Sequence, residues 1–277
     1  MRTEIITSAQ NPKIRQLLLL QEKSRERREK GLFVVEGRRE LRHCLEAGYR
    51  VRSVFVCPEI ADPSEVRDLL RMIKQSASHS GRSEESSLFE IPEPLYRKVA
   101  YRESTEGILA EVAYKALTLK DLSLPDNPLI MVLEAVEKPG NLGAVLRSAD
   151  AAGADAVLVC DPLTDLWNPN LIRASVGAVF TVPCVTCSSQ EAIDWLKARG
   201  IRILTAQLQD SSLYYDCDMT VGTALVMGTE ATGLTPRWRQ AADAHIRIPM
   251  LGALDSLNVS VSAAILLFEA VRQRRNG

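Results

Sequence analysis

The sequence predicts an α/β protein whose second half is a mainly parallel sheet covered by helices on both faces, with a smaller α/β unit ahead of it. Three observations carry that expectation. From residue 129 onward, short apolar runs alternate with helix-patterned segments, the order that builds parallel strands joined by crossover helices. Lys120–Pro128 interrupts the chain with two prolines and alternating charge, the composition of an interdomain linker. The three stretches that combine polar side chains with glycine each follow a predicted strand, where open α/β sheets place their ligands.

In the first half, Ser8-Ala9-Gln10-Asn11-Pro12 starts a helix that runs through Leu17–Leu20. The charged run from Glu22 to Lys30 has mixed signs and reads as a solvated helical face; contact of Arg25, Arg27, Arg28 and Lys30 with phosphate is the alternative. Leu32-Phe33-Val34-Val35 is a buried strand, and Glu36-Gly37 opens a helix that runs to Ala47-Gly48 with Arg38 and Arg42 on one face. A strand over Val51–Cys57, a helix over Ser64–Ser76, a polar loop, a strand over Leu88–Ile91, a helix near Leu95–Ala100 and a strand over Ile108–Val112 complete this unit. Tyr101–Gly107 reads as a loop that offers Arg102 to phosphate.

In the second half, strands are predicted at Leu129–Leu133, Ala156–Cys160, Phe180–Val185, Ile201–Ala206, Thr223–Met227 and Ala244–Ile248. Helices are predicted at Leu142–Ala152, Asn170–Val176, Gln190–Arg199, Pro236–Ala242 and Leu257–Arg275.

Apolar residues make up 46% and charged residues 25%, the balance of a water-soluble globular protein. No apolar run approaches the roughly 18 residues needed to span a membrane. Met1–Ile5 opens no long apolar stretch, so a cytoplasmic protein without a membrane partner is expected. The six cysteines sit mostly among apolar neighbours, as reduced core thiols do. Cys184 and Cys187 form a lone CxxC; no second CxxC or paired His completes a zinc set, and no metal is expected. Net charge is −1, yet residues 1–50 carry twelve basic and seven acidic side chains, a bias that suits a nucleic-acid partner.

The chemistry concentrates in three motifs. In Glu137–Ala149, Gly140 and Gly143 allow close approach of backbone or ligand. Asn141 and Arg147 are six apart and so share no helical stripe, although Arg147 in the early turns could still face the same cleft. In Leu225–Leu234 a strand runs into a glycine-bounded turn whose Glu230 could bind a ligand or fix Arg147. In Ile248–Ser262 a loop meets a helix start, with Asp255 or Ser256 as cap and Leu257, Val261, Ile265 and Phe268 as the apolar stripe. Taken singly, each could be an ordinary turn, loop carboxylate or capped helix. The GxGxxG dinucleotide fingerprint is absent, which removes support for a nucleotide-dependent oxidoreductase.

Together and in this order, the Gly-Asn-x-Gly…Arg, Gly-x-Glu…Gly-Leu and Ile-Pro-Met…Ser-Leu-Asn-Val-Ser-Val segments resemble the SpoU (TrmH) family of RNA ribose 2′-O-methyltransferases, within the SPOUT superfamily. Phe33-Val34-Val35-Glu36-Gly37 resembles part of that family's substrate-binding domain. The chain departs from the pattern at Glu137-Lys138, where acidic or Asn residues commonly precede the proline, and at Ala231, where Gly often follows the Glu.

The resemblance implies an RNA substrate-binding domain over 1–117, a linker over 118–128 and a SPOUT methyltransferase domain over 129–277 with a deep trefoil knot. It implies S-adenosylmethionine as cofactor, with Gly228, Ile248 and Leu257 giving backbone contacts and Met250 and the loop through Gly252 walling the pocket. Arg147 would hold the target phosphate and ease deprotonation of the ribose 2′-hydroxyl, with Asn141, Ser256 and Asn258 orienting the acceptor. Glu230 would hold its loop or pair with Arg147. A homodimer would complete each active site. The implied substrate is structured RNA, foremost 23S ribosomal RNA; transfer RNA, or a catalytically silent RNA-binding or assembly subunit, are the alternatives. The presence of Asn141, Arg147, Glu230, Ser256 and Asn258 argues against the silent form.

Overall fold

The structure, a computed structural model, describes residues 3–79, 86–101, 106–229, 232–253 and 255–276. The chain folds as two compact units, Met1–Lys115 together with Leu166–Gly177, and Ala116–Asp165 together with Ala178–Gly277.

The first unit is built from β1 (Thr3–Ile5), α1 (Pro12–Glu22), α2 (Ser24–Lys30), β2 (Leu32–Glu36), α3 (Arg38–Glu46), β3 (Val51–Val56), α4 (Pro63–His79), β4 (Ser87–Glu90), α5 (Glu93–Val99) and β5 (Ile108–Ala113). Its sheet has the order β1-β4-β3-β5-β2, with β5 antiparallel to both neighbours and the other pairs parallel. Helix α1 starts where the Asn11 side chain accepts the Lys13 N–H and Pro12 fills the first helical position, which needs no N–H partner. Its face Ile14, Leu17 and Leu20 buries against Val34, Phe55 and Leu109 of the sheet.

Two expectations for this unit change. Strand β1 carries no apolar alternation and its side chains are exposed, so only backbone pairing to β4 reveals it. Arg27, offered above to phosphate, is 2% exposed and donates through Nη1 to the carbonyls of Leu20 and Gln21. Its guanidinium is spent on joining α1 to α2. Arg102 lies outside the described residues.

The chain continues with β6 (Leu129–Glu134), α6 (Pro139–Ala152), β7 (Ala156–Cys160), α7 (Pro169–Ser175), α8 (Ala178–Thr181), β8 (Cys184–Cys187), α9 (Ser189–Ala198), β9 (Arg202–Ala206), β10 (Ser212–Leu213), β11 (Thr223–Met227), α10 (Pro236–Ala241), β12 (Ala244–Arg247) and α11 (Val259–Asn276), all of them in the second unit except α7. Seven strands form one sheet in the order β10-β12-β9-β11-β6-β7-β8, and every neighbouring pair is parallel. The loops after β6, β9, β11 and β12 therefore emerge at one edge. Buried residues such as Ile130, Val132, Leu158, Leu196, Val226 and Trp238 form the core on one face; Leu119, Leu122 and Leu124 of the segment read as a linker, and Leu117 just before it, pack against it.

Three details differ from the sequence reading. The apolar run predicted as a strand over Phe180–Val185 divides into α8 and β8, because Pro183 cannot donate to a ladder and the run is too short for its period to decide. Helix α7, placed by sequence among the sheet-covering helices, belongs to the first unit. There Trp167 stacks on Phe33 at 4.5 Å between ring centroids and meets Tyr49 and Tyr114 at 5.5 Å each. Third, Val261 and Phe268 of the predicted α11 stripe are 47% and 48% exposed, whereas Val259, Ala263, Leu266, Leu267 and Ala270 are buried.

Because Trp167 is half-buried in an aromatic cluster, Trp167→Ala should destabilise the first unit by about 2 kcal/mol, less than the ~3–5 of a fully buried ring. Denaturant titration followed by circular dichroism measures it, and an unchanged midpoint would show that the ring merely rests on the surface.

Candidate active site

The carboxyl edge of the parallel sheet carries two cavities. The first is lined by Ala206–Leu208 after β9, Met227 at the end of β11, Ile246–Ile248 and Met250 at and after the end of β12, Asp255–Leu257, and Ser262 and Leu266 of α11. Its apolar walls with a few polar groups suit a flat heterocycle with polar edges. The second is lined by Val136, Glu137, Lys138, Asn141, Gly228, Thr229 and Val259. Two places in the chain contribute to both: the end of β11, with Met227 and then Gly228 just past it, and the approach to α11, with Leu257 and then Val259.

The α11 start is organised by Asn258 rather than by Asp255 or Ser256. Its Oδ1 accepts the Ser260 N–H at 2.9 Å, and its carbonyl accepts the N–H groups of Val261 and Ser262. Its Nδ2 meanwhile donates to Asn141 Oδ1 at 3.2 Å. The amide supplies an acceptor for the helix cap and a donor for the first motif, a pairing that an aspartate could not make. Asn141 and Asn258 are 117 residues apart in sequence, and this bond joins the first and third motifs directly.

The turn after β11 closes by a Thr229–Gly233 bridge, with the Gly233 N–H donated to the Thr229 carbonyl at 3.0 Å. A Cβ on Gly228 would lie 2.3 Å from the Gly233 carbonyl carbon and oxygen. Glycine is thus required here because backbone crosses backbone. Gly228 lines the second cavity beside Asn141, whereas Ile248, Met250, Ser256 and Leu257 line the first. Of the loop through Gly252, Leu251 is 97% exposed and projects away from the wall.

Arg147 is exposed on α6, and the described linings of the two cavities do not include it. Six residues of helix turn it ~240° from Asn141. Glu230 lies outside the described residues. Sequence reasoning missed Ala206–Leu208; their position just past the end of a parallel strand was the available signal. It also stopped β6 one residue short and so missed Glu134, which is buried at the strand's carboxyl end.

Among the described residues no cluster of three or more His, Cys, Asp or Glu is placed to hold a metal. Cys184 is buried, which pushes its thiol up to about 12, and Cys187 lies with its Sγ 4.0 Å from that of Cys160 on the neighbouring strand. Among the described residues no helix is long and apolar enough to cross a membrane.

Comparison with known proteins gives matches over nearly the whole chain. Residues 128–268 match the SpoU rRNA Methylase family, and residues 11–110 match the MRM3-like substrate binding domain. The chain is 30% identical over 276 residues to a 23S rRNA (uridine(2479)-2′-O)-methyltransferase of Streptomyces viridochromogenes, covering 98% of this chain and 93% of the relative. It is 28% identical over 263 residues to the 23S rRNA (guanosine(2553)-2′-O)-methyltransferase RlmP of Bacillus subtilis strain 168, covering 95% and 97%. The crystal structure of an AdoMet-bound rRNA methyltransferase from Sinorhizobium meliloti superposes with a TM-score of 0.87 at 26% identity, covering 98% of each chain.

The glycine contact sets a test. Gly228→Val should abolish binding of S-adenosylmethionine through collapse of the turn, and Gly228→Ala should already weaken it, since even one Cβ meets the Gly233 carbonyl. Calorimetry on folded variants decides, and wild-type affinity in Gly228→Ala would show that the turn gives way without consequence.

Proposed function

The chain belongs to the SpoU rRNA methylase family, and from that premise we propose that it methylates a ribose 2′-hydroxyl of 23S ribosomal RNA. It is an RNA 2′-O-ribose methyltransferase and its cofactor is S-adenosylmethionine. The carrying observation is the pair of cavities that meet at the end of β11 and the start of α11.

The first cavity suits the cofactor. Met227, Ile246, Ile248, Met250, Leu257 and Leu266 offer apolar surface to the adenosine, while Gln207, Ser256 and the backbone after β12 offer polar edges. Bound there, the cofactor supplies an electrophilic methyl group. The second cavity receives the acceptor ribose, with the Asn141–Asn258 pair at its edge to orient the hydroxyl. Alignment of this kind contributes up to ~7–11 kcal/mol in favourable systems.

Arg147 acts on the acceptor electrostatically. A guanidinium stays protonated in proteins, so it serves as phosphate anchor and charge stabiliser and not as a base. We infer a homodimer, supported by the exposed apolar residues Leu257, just ahead of α11, and Val261 and Phe268 on it. Arg147, exposed and outside both linings, then reaches the acceptor across that interface, and Glu230 fixes the turn or pairs with it. Residues 1–117, supplemented by 166–177, form the RNA-binding part, 118–128 the linker, and 129–277 the methyltransferase part, with a trefoil knot around β11 to α11. The basic excess of residues 1–50 supports this division. The protein acts in the cytoplasm, with its ribosomal substrate.

The two named relatives act on different bases, a uridine and a guanosine, so recognition of the ribose is shared and the base is read elsewhere. Mapping 2′-O-methyl groups in ribosomal RNA from cells with and without the gene should show one position of 23S rRNA losing its methyl group; identical maps would defeat the reading.

Arg147→Ala should leave folding and cofactor affinity near wild type and lower single-turnover methyl transfer by ~10²-fold or more. Mixing it with Asn141→Ala should restore part of the activity if Arg147 serves the opposite protomer. Wild-type turnover in Arg147→Ala would return that residue to an ordinary surface arginine, whose removal costs under ~0.5 kcal/mol.

A further inference from the structure

At the carboxyl end of the central strand β6, Glu134 is 3% exposed. A carboxylate taken out of water is tolerated only where strong hydrogen bonds offset its lost hydration. Glu134 receives two from one residue: the Thr235 N–H reaches Oε2 at 2.8 Å and the Thr235 hydroxyl reaches Oε1 at 2.7 Å. Thr235 stands at the N-cap position of α10, yet its side chain makes no capping bond. The hydroxyl that would ordinarily cap the helix is given to Glu134 instead. Ser189 is a weaker neighbour, with its Oγ 3.4 Å from Oε1. That Oγ makes shorter bonds to Asp161 at 2.6 Å and to the Trp238 indole N–H at 2.9 Å.

The grip on Thr235 reaches both cavities through contacts that leave little slack. Thr235 directly follows the Gly228–Leu234 turn, and Leu234 is buried in the core. Gly233 is bonded to Thr229 and packs its carbonyl where a Cβ of Gly228 would stand. A shift of Thr235 therefore shifts Gly233, and with it Gly228 and Thr229, which line the second cavity next to Met227 of the first.

We propose that Glu134 is a positioning residue for methyl transfer: its carboxylate fixes the returning end of the Gly228–Leu234 turn and so sets that turn against the acceptor. This deepens the function argued above and rests on it. Glu134 touches no reacting atom, and its influence passes through Thr235.

The competing account gives the network a structural task alone, holding α9 and α10 on the sheet. The two accounts part on rate against stability. Thr235→Val removes the hydroxyl with little change in shape, and Thr235→Ser keeps both donors. With an unmodified 23S rRNA transcript and saturating S-adenosylmethionine, Thr235→Val should lower the single-turnover rate by about tenfold or more, with melting temperature and cofactor affinity much less affected. Thr235→Ser should run at the wild-type rate. Glu134→Gln should slow the reaction similarly, and the double variant should be no slower than the worse single one, as expected for two halves of one interaction. Wild-type rates in Thr235→Val and Glu134→Gln, with only lowered melting temperatures, would overturn the proposal. Failure of the wild-type protein itself to methylate the transcript would count against the proposed function instead. In that event amide hydrogen exchange decides the positioning claim: Gly233 must lose protection in Thr235→Val while β6 and β11 keep theirs, and retained protection would defeat it.

Discussion

Helix α11 is held at both ends by side-chain amides and guanidinium groups, and the shape of the candidate site depends on that hold. At its start, Asn258 caps the helix and binds Asn141 of α6. At its far end Arg274 donates to the carbonyls of Asn127, Pro128, Met219 and Val221, and Gln273 bonds to Cys217 and Met219. Each of those carbonyls lies at a chain segment entering β6 or β11, so the helix is registered against the amino ends of the central strands. Between the two ends, Leu266 faces the first cavity while Val259 faces the second. The position of one helix thus decides the walls of both.

The direction of the strands does the remaining work. With every pair in the second sheet parallel, loops separated by more than a hundred residues emerge at one edge, and the three polar motifs meet without any long connection. Much of this was legible in the sequence because apolar runs and turn residues report the strands themselves: Ala156–Cys160 and Thr223–Met227 coincide with observed strands residue for residue. The motif order carried the family, and the cofactor and reaction follow from the family.

What the sequence concealed lies in partnerships that periodicity does not encode. The stripe Leu257, Val261, Ile265, Phe268 has helical spacing, yet the core contacts of α11 fall on Val259, Ala263, Leu266 and Leu267. Both faces of this helix are apolar, and only the fold tells which one is inside. Arg27 looked like one more charge in a solvated run until two carbonyls, freed at the end of α1, claimed it. Gly228 was read as a backbone contact to the cofactor, and nothing in the sequence showed that the carbonyl of Gly233 stands where its Cβ would be. Glu134 gave no signal at all, because a single carboxylate at a strand end reads like any other until its partner a hundred residues on is in place.

The excursion from Leu166 to Gly177 bears on how such a protein can be rearranged. A chain whose units were joined only at residues 115 and 116 could exchange its first unit for another by a single recombination event. Here the polypeptide passes from one unit to the other three times, and the second visit delivers Trp167 into the aromatic cluster of Phe33, Tyr49 and Tyr114. A grafted substitute would have to bring a matching socket for that tryptophan, or the recipient would have to lose it. Substrate range in such an architecture would then change by drift of surface residues within one inherited pair of units more readily than by shuffling of whole modules.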